Sequence, residues 1–243
     1  MDLSSFSAVF RTVLAANGIN TPLTDQQTRQ FYDLTERLLT TNRTMNLTAI
    51  RDEAGVMLHH FADSLTLLPC LPASGTVLDV GCGGGFPSLP LAVCRPDLFF
   101  TGLDSTEKKV RYVGQAATAL GLINYRALAG RAEELAHGSL RERFDTVTAR
   151  AVADLPVLTE LCLPFLAAGG TFLAMKGSRG EAELAAAESA VEKLGGRVAA
   201  VHHLSLRTPD GAEEKRLIIE IKKVRPTPAA YPRPFAKIQK KPL

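Results

Sequence analysis

Between Thr76 and Ile221 the chain alternates short apolar runs with helical stretches, and no other feature of the sequence limits the fold as strongly. Each run suits one strand, and each intervening stretch is long enough to cross over and return. That is the pattern of repeated βα units building a largely parallel sheet. Seven strands are predicted: Thr76–Val80, Leu98–Leu103, Ile123–Leu128, Phe144–Ala149, Gly170–Met175, Val198–Leu206 and Leu217–Ile221. The last two are separated by a Pro209-Asp210-Gly211 turn that fits a hairpin, so the last strand is expected to run antiparallel to its neighbours. The fold class is therefore α/β, a Rossmann-like sheet of seven strands.

The 243 residues suffice for one buried α/β core with modest additions, and 46% apolar against 22% charged residues is ordinary for a folded globular chain. Three segments are expected: a helical cap over residues 1–70, a sheet domain over 71–225 and a basic, proline-rich tail over 226–243. In the cap, Thr24 and Gln27 have capping-box spacing, and Phe31, Leu34 and Leu38 repeat at helical intervals as far as Asn42. A further helix is expected from Glu53 to about Leu68 with Asp52 as its cap. These helices have no evident core of their own and should pack on the sheet.

The N-terminus has neither the basic nor the apolar region of a secretory signal, so a cytoplasmic location is expected. Residues 151–175 form the most apolar stretch, but Asp154, Pro156, Glu160, Pro164 and Gly169-Gly170 interrupt it, and no membrane span is expected. Cys70, Cys82, Cys94 and Cys162 lack the spacing of a disulfide framework or a zinc site, so neither a metal nor a disulfide is expected. Charge is unevenly distributed. From Lys222 to Leu243 there are seven cations and no acid, leaving the rest of the chain at −4. Such a tail either meets a polyanion, where its cations displace counterions, or is simply solvated.

The sharpest local signal is the run Asp79-Val80-Gly81-Cys82-Gly83-Gly84-Gly85-Phe86-Pro87, where a strand passes through an acid into alternating glycines and then a helix. Glycines at such a turn let backbone approach a ligand at the C-terminal edge of the sheet, where α/β folds bind nucleotides. The dinucleotide spacing G-x-G-x-x-G fails, because Phe86 or Ser88 falls where its last glycine should stand. The spacing D-x-G-x-G-x-G instead resembles the first motif of class I S-adenosylmethionine-dependent methyltransferases. Gly81, Gly83 and Gly85 would form the turn, and the Asp79 carboxylate suits a cationic ammonium, directly or through water.

Asp104 ends the second strand, 25 residues after Asp79. An acid there can accept both hydroxyls of a ribose; alternatively it caps the helix from Thr106 onward. After the third strand, Ala132 and Glu133 fall where such folds frame an adenine edge. Arg150 closes the fourth strand, where a transferring methyl is expected. That strand end offers no cysteine nucleophile for attack on a pyrimidine carbon, since Cys162 reads as core, and no N/D-P-P-Y/F motif for an exocyclic amine. An acceptor with its own lone pair is favoured, and guanine N7 is one.

The chain strongly resembles the RsmG family, also called GidB, bacterial methyltransferases of small-subunit ribosomal RNA. The resemblance spans nearly the whole sequence. It rests on Asn46-Leu47-Thr48, Ile50-Arg51-Asp52, His60-Phe61-Ala62-Asp63-Ser64, the glycine run, Leu103-Asp104-Ser105, Arg131-Ala132-Glu133, Ala149-Arg150-Ala151, Lys176-Gly177, Tyr231-Pro232-Arg233 and Lys240-Lys241-Pro242-Leu243. It implies methylation of guanine N7 in a conserved loop of 16S rRNA, with S-adenosylmethionine as cofactor and rRNA or the small subunit as partner. By motif position, cofactor contacts fall on Gly81, Phe86, Asp104, Ser105, Thr106, Ala132, Glu133 and Arg150. His59 stands where the family often has arginine, and the extended basic tail is one that many members lack.

Arg150 and Asn46 are the candidate catalytic residues. Arg150 could donate to guanine O6 and leave N7 free; Asn46 is either a guanine-edge ligand or a turn residue. His60 and Asp63, three apart on one helical face, either reach the site mouth or staple the cap to the core. A monomer is expected. The competing readings are a methyltransferase acting on a protein or small molecule, and a noncatalytic RNA-binding module.

Overall fold

The computed structural model describes residues 1–243. Seven strands form one sheet in the order β3-β2-β1-β4-β5-β7-β6: β1 (Gly75–Val80), β2 (Leu98–Asp104), β3 (Tyr125–Ala129), β4 (Phe144–Arg150), β5 (Leu166–Lys176), β6 (Gly196–Arg207) and β7 (Glu213–Lys223). The first five are parallel, while β7 runs antiparallel between β5 and β6. The α/β class and the antiparallel β7 are as the sequence predicts. Because β1 leads outward to β2 and β3 while β4 leads the opposite way to β5, the switch point lies between β1 and β4. A crevice opens there at the C-terminal ends of the strands.

Strand β3 begins two residues later than its apolar run suggests, and Ile123 is 96% exposed. The neighbouring Asn124 decides this: its buried amide donates to the carbonyls of Ala92, Arg95 and Leu98, so the chain enters the sheet only after it. Strands β6 and β7 are longer than their apolar centres, since hairpin pairing continues into polar residues beyond the buried part, and β5 starts early at Leu166, which pairs with Phe144 of β4.

The cap comprises α1 (Leu3–Ala16), α2 (Asp25–Met45) and a helical run in three parts: α3 (Glu53–Gly55), a π-helical segment (Val56–Ala62) and α4 (Asp63–Leu65). The Thr24–Gln27 capping box is formed, and the Asp52 carboxylate accepts from Gly55 N–H. Helix α2 continues past Asn42 to Met45, and Asn46 caps it with a left-handed φ of 51°. Phe31, Leu34 and Leu38 are fully buried, in one apolar core with Phe6, Phe10, Phe61, Val77, Leu89 and Phe100. The cap therefore shares its core with one face of the sheet. Aromatic rings step from Phe10 to Phe31 (5.0 Å between centroids), Phe31 to Phe61 (4.9 Å) and Phe61 to Phe86 (6.2 Å), linking α1 to the glycine turn.

Helices α5 (Ser88–Cys94), α6 (Glu107–Ala119), α7 (Ala132–Leu135), α8 (Leu155–Cys162) and α9 (Gly180–Lys193) connect the strands. No helix is long and apolar enough to cross a membrane. All four cysteines are free, and Cys162 is fully buried in α8. The final residues carry α10 (Phe235–Lys240), whose Ile238 is buried among the apolar residues of α8 and α9.

Candidate active site

At the switch point the glycine turn, the ends of β2 and β4 and the cap enclose a cavity of about 490 Å³. Gly81, Gly83, Phe86, Asp104, Ser105, Thr106, Ala132, Glu133 and Arg150 all line it. Gly81 (φ 74°) and Gly83 (φ 56°) take left-handed conformations that other residues rarely adopt. A Cβ on Gly83 would meet no atom nearer than the Gly81 carbonyl at 3.9 Å, so a side chain there would take space from the cavity itself.

The acid at the end of β2 organises this turn. Asp104 Oδ2 accepts from Gly83 N–H at 3.0 Å and Oδ1 from Thr106 N–H at 2.8 Å. Thr106 is the N-cap of α6 and the helix has no side-chain cap, so Asp104 shapes the approach to the helix without capping it, and each carboxylate oxygen keeps a lone pair.

Two residues of the motif serve the turn without facing the cavity. Asp79 is fully buried, with Oδ2 accepting from the Ser88 hydroxyl (2.6 Å) and backbone N–H (3.2 Å). It is not among the residues bordering the cavity, and its Oδ1 is buried without a hydrogen-bond partner. The sequence hid this because both faces of a central parallel strand are buried, and apolar periodicity cannot say which way the acid points. Gly85 (φ 95°) also faces away: a Cβ there would collide with Leu89 Cδ1, so its absence permits close packing of turn on helix.

Burial pushes the Asp79 carboxyl up to about 6, against the opposing hydrogen bonds from Ser88. A carboxyl raised in the folded state favours folding when protonated and loses that contribution as pH rises through its folded value. The stability of Asp79→Asn relative to wild type should therefore rise between about pH 4 and pH 7, by up to about 3 kcal/mol for a two-unit shift. Denaturant unfolding at both pH values checks this, and a pH-independent difference would contradict it.

Arg150 ties the cap to the sheet. Its Nη1 donates to Asp63 Oδ2 (2.8 Å) and the His59 carbonyl (2.6 Å), and its Nη2 to His60 Nδ1 (3.2 Å). Asp63 also receives Arg216 Nε at 3.0 Å, from β7. An arginine can only donate, so His60 Nδ1 must be the acceptor, and Nε2 carries the proton donated to Thr48 Oγ1 at 2.8 Å. Burial and the adjacent guanidinium lower His60 to about 3, leaving the ring neutral at ordinary pH. It stacks flat on Phe86 at 4.3 Å between centroids. Both readings of the His60–Asp63 pair are thus met through Arg150, since they fasten the cap and His60 also lines the cavity.

Three of the five Arg150 N–H groups are engaged in these contacts, which leaves Nε–H and one Nη2–H free. Asn46 lines neither this cavity nor the next; it is exposed, and its Oδ1 accepts weakly from Arg51 at 3.4 Å, so the turn role holds. Its neighbours Leu47 and Thr48 do line the cavity, as do Lys109, Val152 and Phe235, none of which the motif positions indicated. A second cleft of about 610 Å³ shares His60, Arg150, Ala151 and Val152 with the first and continues along Lys176, Arg179 and Arg216. No group of three or more His, Cys, Asp or Glu side chains is arranged to hold a metal ion.

Residues 27–211 match the family model described as rRNA small subunit methyltransferase G. The chain belongs to this GidB family. It is 46% identical over 240 residues to the ribosomal RNA small subunit methyltransferase G of Limosilactobacillus fermentum, covering 96% of this chain and 97% of that one. The enzyme of the same name from Lactobacillus delbrueckii subsp. bulgaricus is 43% identical over 229 residues, covering 92% and 95%. Solved structures with the same fold include M. jannaschii TYW2 in complex with AdoMet (TM-score 0.55, 14% identity, covering 72% of this chain and 80% of that one). Another is a SAM-dependent methyltransferase from Methanosarcina mazei (TM-score 0.51, 16% identity, covering 65% and 97%). As a GidB-family protein with this fold, the chain is an S-adenosylmethionine-dependent rRNA methyltransferase. The cavity fits that cofactor in size, in the acid at the end of β2 and in the glycine cradle that a side chain would fill.

Proposed function

We propose that this chain methylates N7 of a guanine in a conserved loop of 16S rRNA, working as a single chain in the cytoplasm on rRNA or an assembling small subunit. The observation that carries this reading is the common wall of the two cavities, where His60, Arg150, Ala151 and Val152 border both. One cavity suits the cofactor; the second gives an acceptor an approach to the same point. All of these residues come from one chain.

When bound, S-adenosylmethionine supplies a methyl group made electrophilic by its cationic sulfur. The protein's own part is to hold and orient. Asp104 is placed to accept ribose hydroxyls, the glycine turn lets the cofactor's amino-acid end lie against backbone, and Ala132 and Glu133 border the base. The groups at and beside the shared wall are not poised to remove a proton: both His60 nitrogens are engaged, and Asp63, in the second cleft, lies between two arginines. That arrangement favours an acceptor attacking with a lone pair it already has, and guanine N7 needs no deprotonation.

Incubation with methyl-labelled cofactor and, in parallel, small ribosomal subunits, naked 16S rRNA and total protein tests the proposal. Label should enter the RNA of one or both ribosomal samples. Label confined to protein, or none in any RNA, would overturn it.

A further inference from the structure

The C-terminal segment is strapped to the body by contacts that a merely solvated tail would lack. Glu160 of α8 is fully buried, and its side-chain partners are the Arg233 side chain, at 2.6–3.2 Å, and the Arg233 backbone N–H at 2.8 Å. Arg141 donates to the carbonyls of Thr227, Pro228 and Tyr231, and His137 Nε2 lies 2.8 Å from the Pro232 carbonyl. Lys223 is buried with its ammonium on the Leu163 carbonyl at 2.7 Å and on Thr227 Oγ1. Arg233 is thereby neutralised by Glu160, and the exposed cations of this segment are Lys237, Lys240 and Lys241.

The anchor delivers Phe235, two residues beyond Arg233, to the wall of the cofactor cavity. Helix α10 packs on α8, and α8 also packs on α7, so Phe235 joins Leu161 and Ala132 on the side of the cavity that follows β3. Here Phe235, Leu161 and Ala132 give the cavity an apolar wall beside the Arg131–Glu133 ion pair. We infer that the C-terminal segment is part of the cofactor site, with Phe235 packing against the adenosine end of S-adenosylmethionine. The inference rests on reading this cavity as the cofactor site.

Calorimetry on the full chain tests it with two probes, S-adenosylmethionine and 5′-methylthioadenosine, which keeps adenosine and lacks the amino-acid end. Phe235→Ala should weaken both by about tenfold, the scale of losing one apolar face. Phe235→Leu should cost less than about threefold, and Lys237→Ala should change neither affinity. Asp104→Asn, in the same series, should also weaken both and so tests the cavity independently. Phe235→Ala with wild-type melting and unchanged affinities, beside a weakened Asp104→Asn, overturns the inference alone. If Asp104→Asn is also unchanged, the reading of the cavity fails with it. A loss confined to S-adenosylmethionine overturns the adenosine placement. The chain has no tryptophan, so Phe235→Trp adds a folded-state reporter. Its emission should change saturably with 5′-methylthioadenosine, and unchanged emission at saturation contradicts the inference.

Discussion

Arg233→Ala is expected to lower folding stability by about 3–5 kcal/mol, because it strands the Glu160 carboxylate in the interior without its partner. Glu160 is fully buried, and the Arg233 side chain supplies both the charge that offsets its desolvation and three of the four hydrogen bonds it accepts, the fourth coming from the Arg233 backbone N–H. Removing one member of such a pair is far worse than removing both. The Glu160→Gln, Arg233→Ala double variant should therefore recover part of the loss, a non-additivity that a double-mutant cycle measures. For a chain of this size the single variant should melt roughly 10 °C lower. A change below about 1 kcal/mol would mean that the strap is only loosely attached. This expectation replaces the simple charge argument for the tail. With Arg233 committed to Glu160, deletion of residues 226–243 should destabilise the fold and remove at most the three exposed lysines from any RNA contact.

Arg150→Ala should reduce methyl transfer by about a hundredfold or more, the scale associated with an ångström of misplacement at a reacting centre. Three acceptors on the cap converge on this guanidinium: Asp63 Oδ2, the His59 carbonyl and His60 Nδ1. Its planar fork is also centred 5.7 Å from the Phe86 ring, which it borders together with His60. Without it, Asp63 keeps only Arg216, and the cap loses its tie to the shared wall of the two cavities. His59 and His60 lie in the π-helical segment and Asp63 directly follows it, a local geometry often found at functional sites. Arg150 is a positioning residue in this account, so the loss should fall mainly on kcat, with cofactor affinity changing much less. Arg150→Lys should not rescue, since an ammonium keeps the charge but cannot reproduce the fork. Single-turnover assays beside cofactor titrations separate the two. Near-normal turnover with lysine would contradict the positioning role.

The contrast between these two residues shows what the sequence could disclose. The strands, the glycine turn and Asp104 were legible because each depends on local pattern: apolar runs bounded by breakers, glycines where φ is positive, an acid at a strand end. The capping box of α2 was legible for the same reason. Long-range pairings were not. Arg150 and Asp63 lie 87 residues apart and Glu160 and Arg233 lie 73 apart, and no spacing rule links them. Asp79 illustrates a subtler limit. Its identity and position were clear, but a strand buried on both faces conceals direction, and one carboxylate oxygen turned to Ser88. The π segment left no mark either, since its residues read as ordinary amphipathic helix.

The most direct test of the central claim is the chemical identity and position of the methylated nucleotide. Small subunits or 16S rRNA treated with the protein and S-adenosylmethionine should, after digestion and mass spectrometry of nucleosides, yield 7-methylguanosine, with one RNA fragment carrying the added methyl group. Its appearance should fall in step with turnover in Arg150→Ala. Methylation of a different base, of an exocyclic amine or of the ribose would contradict the account, as would 7-methylguanosine scattered over many fragments.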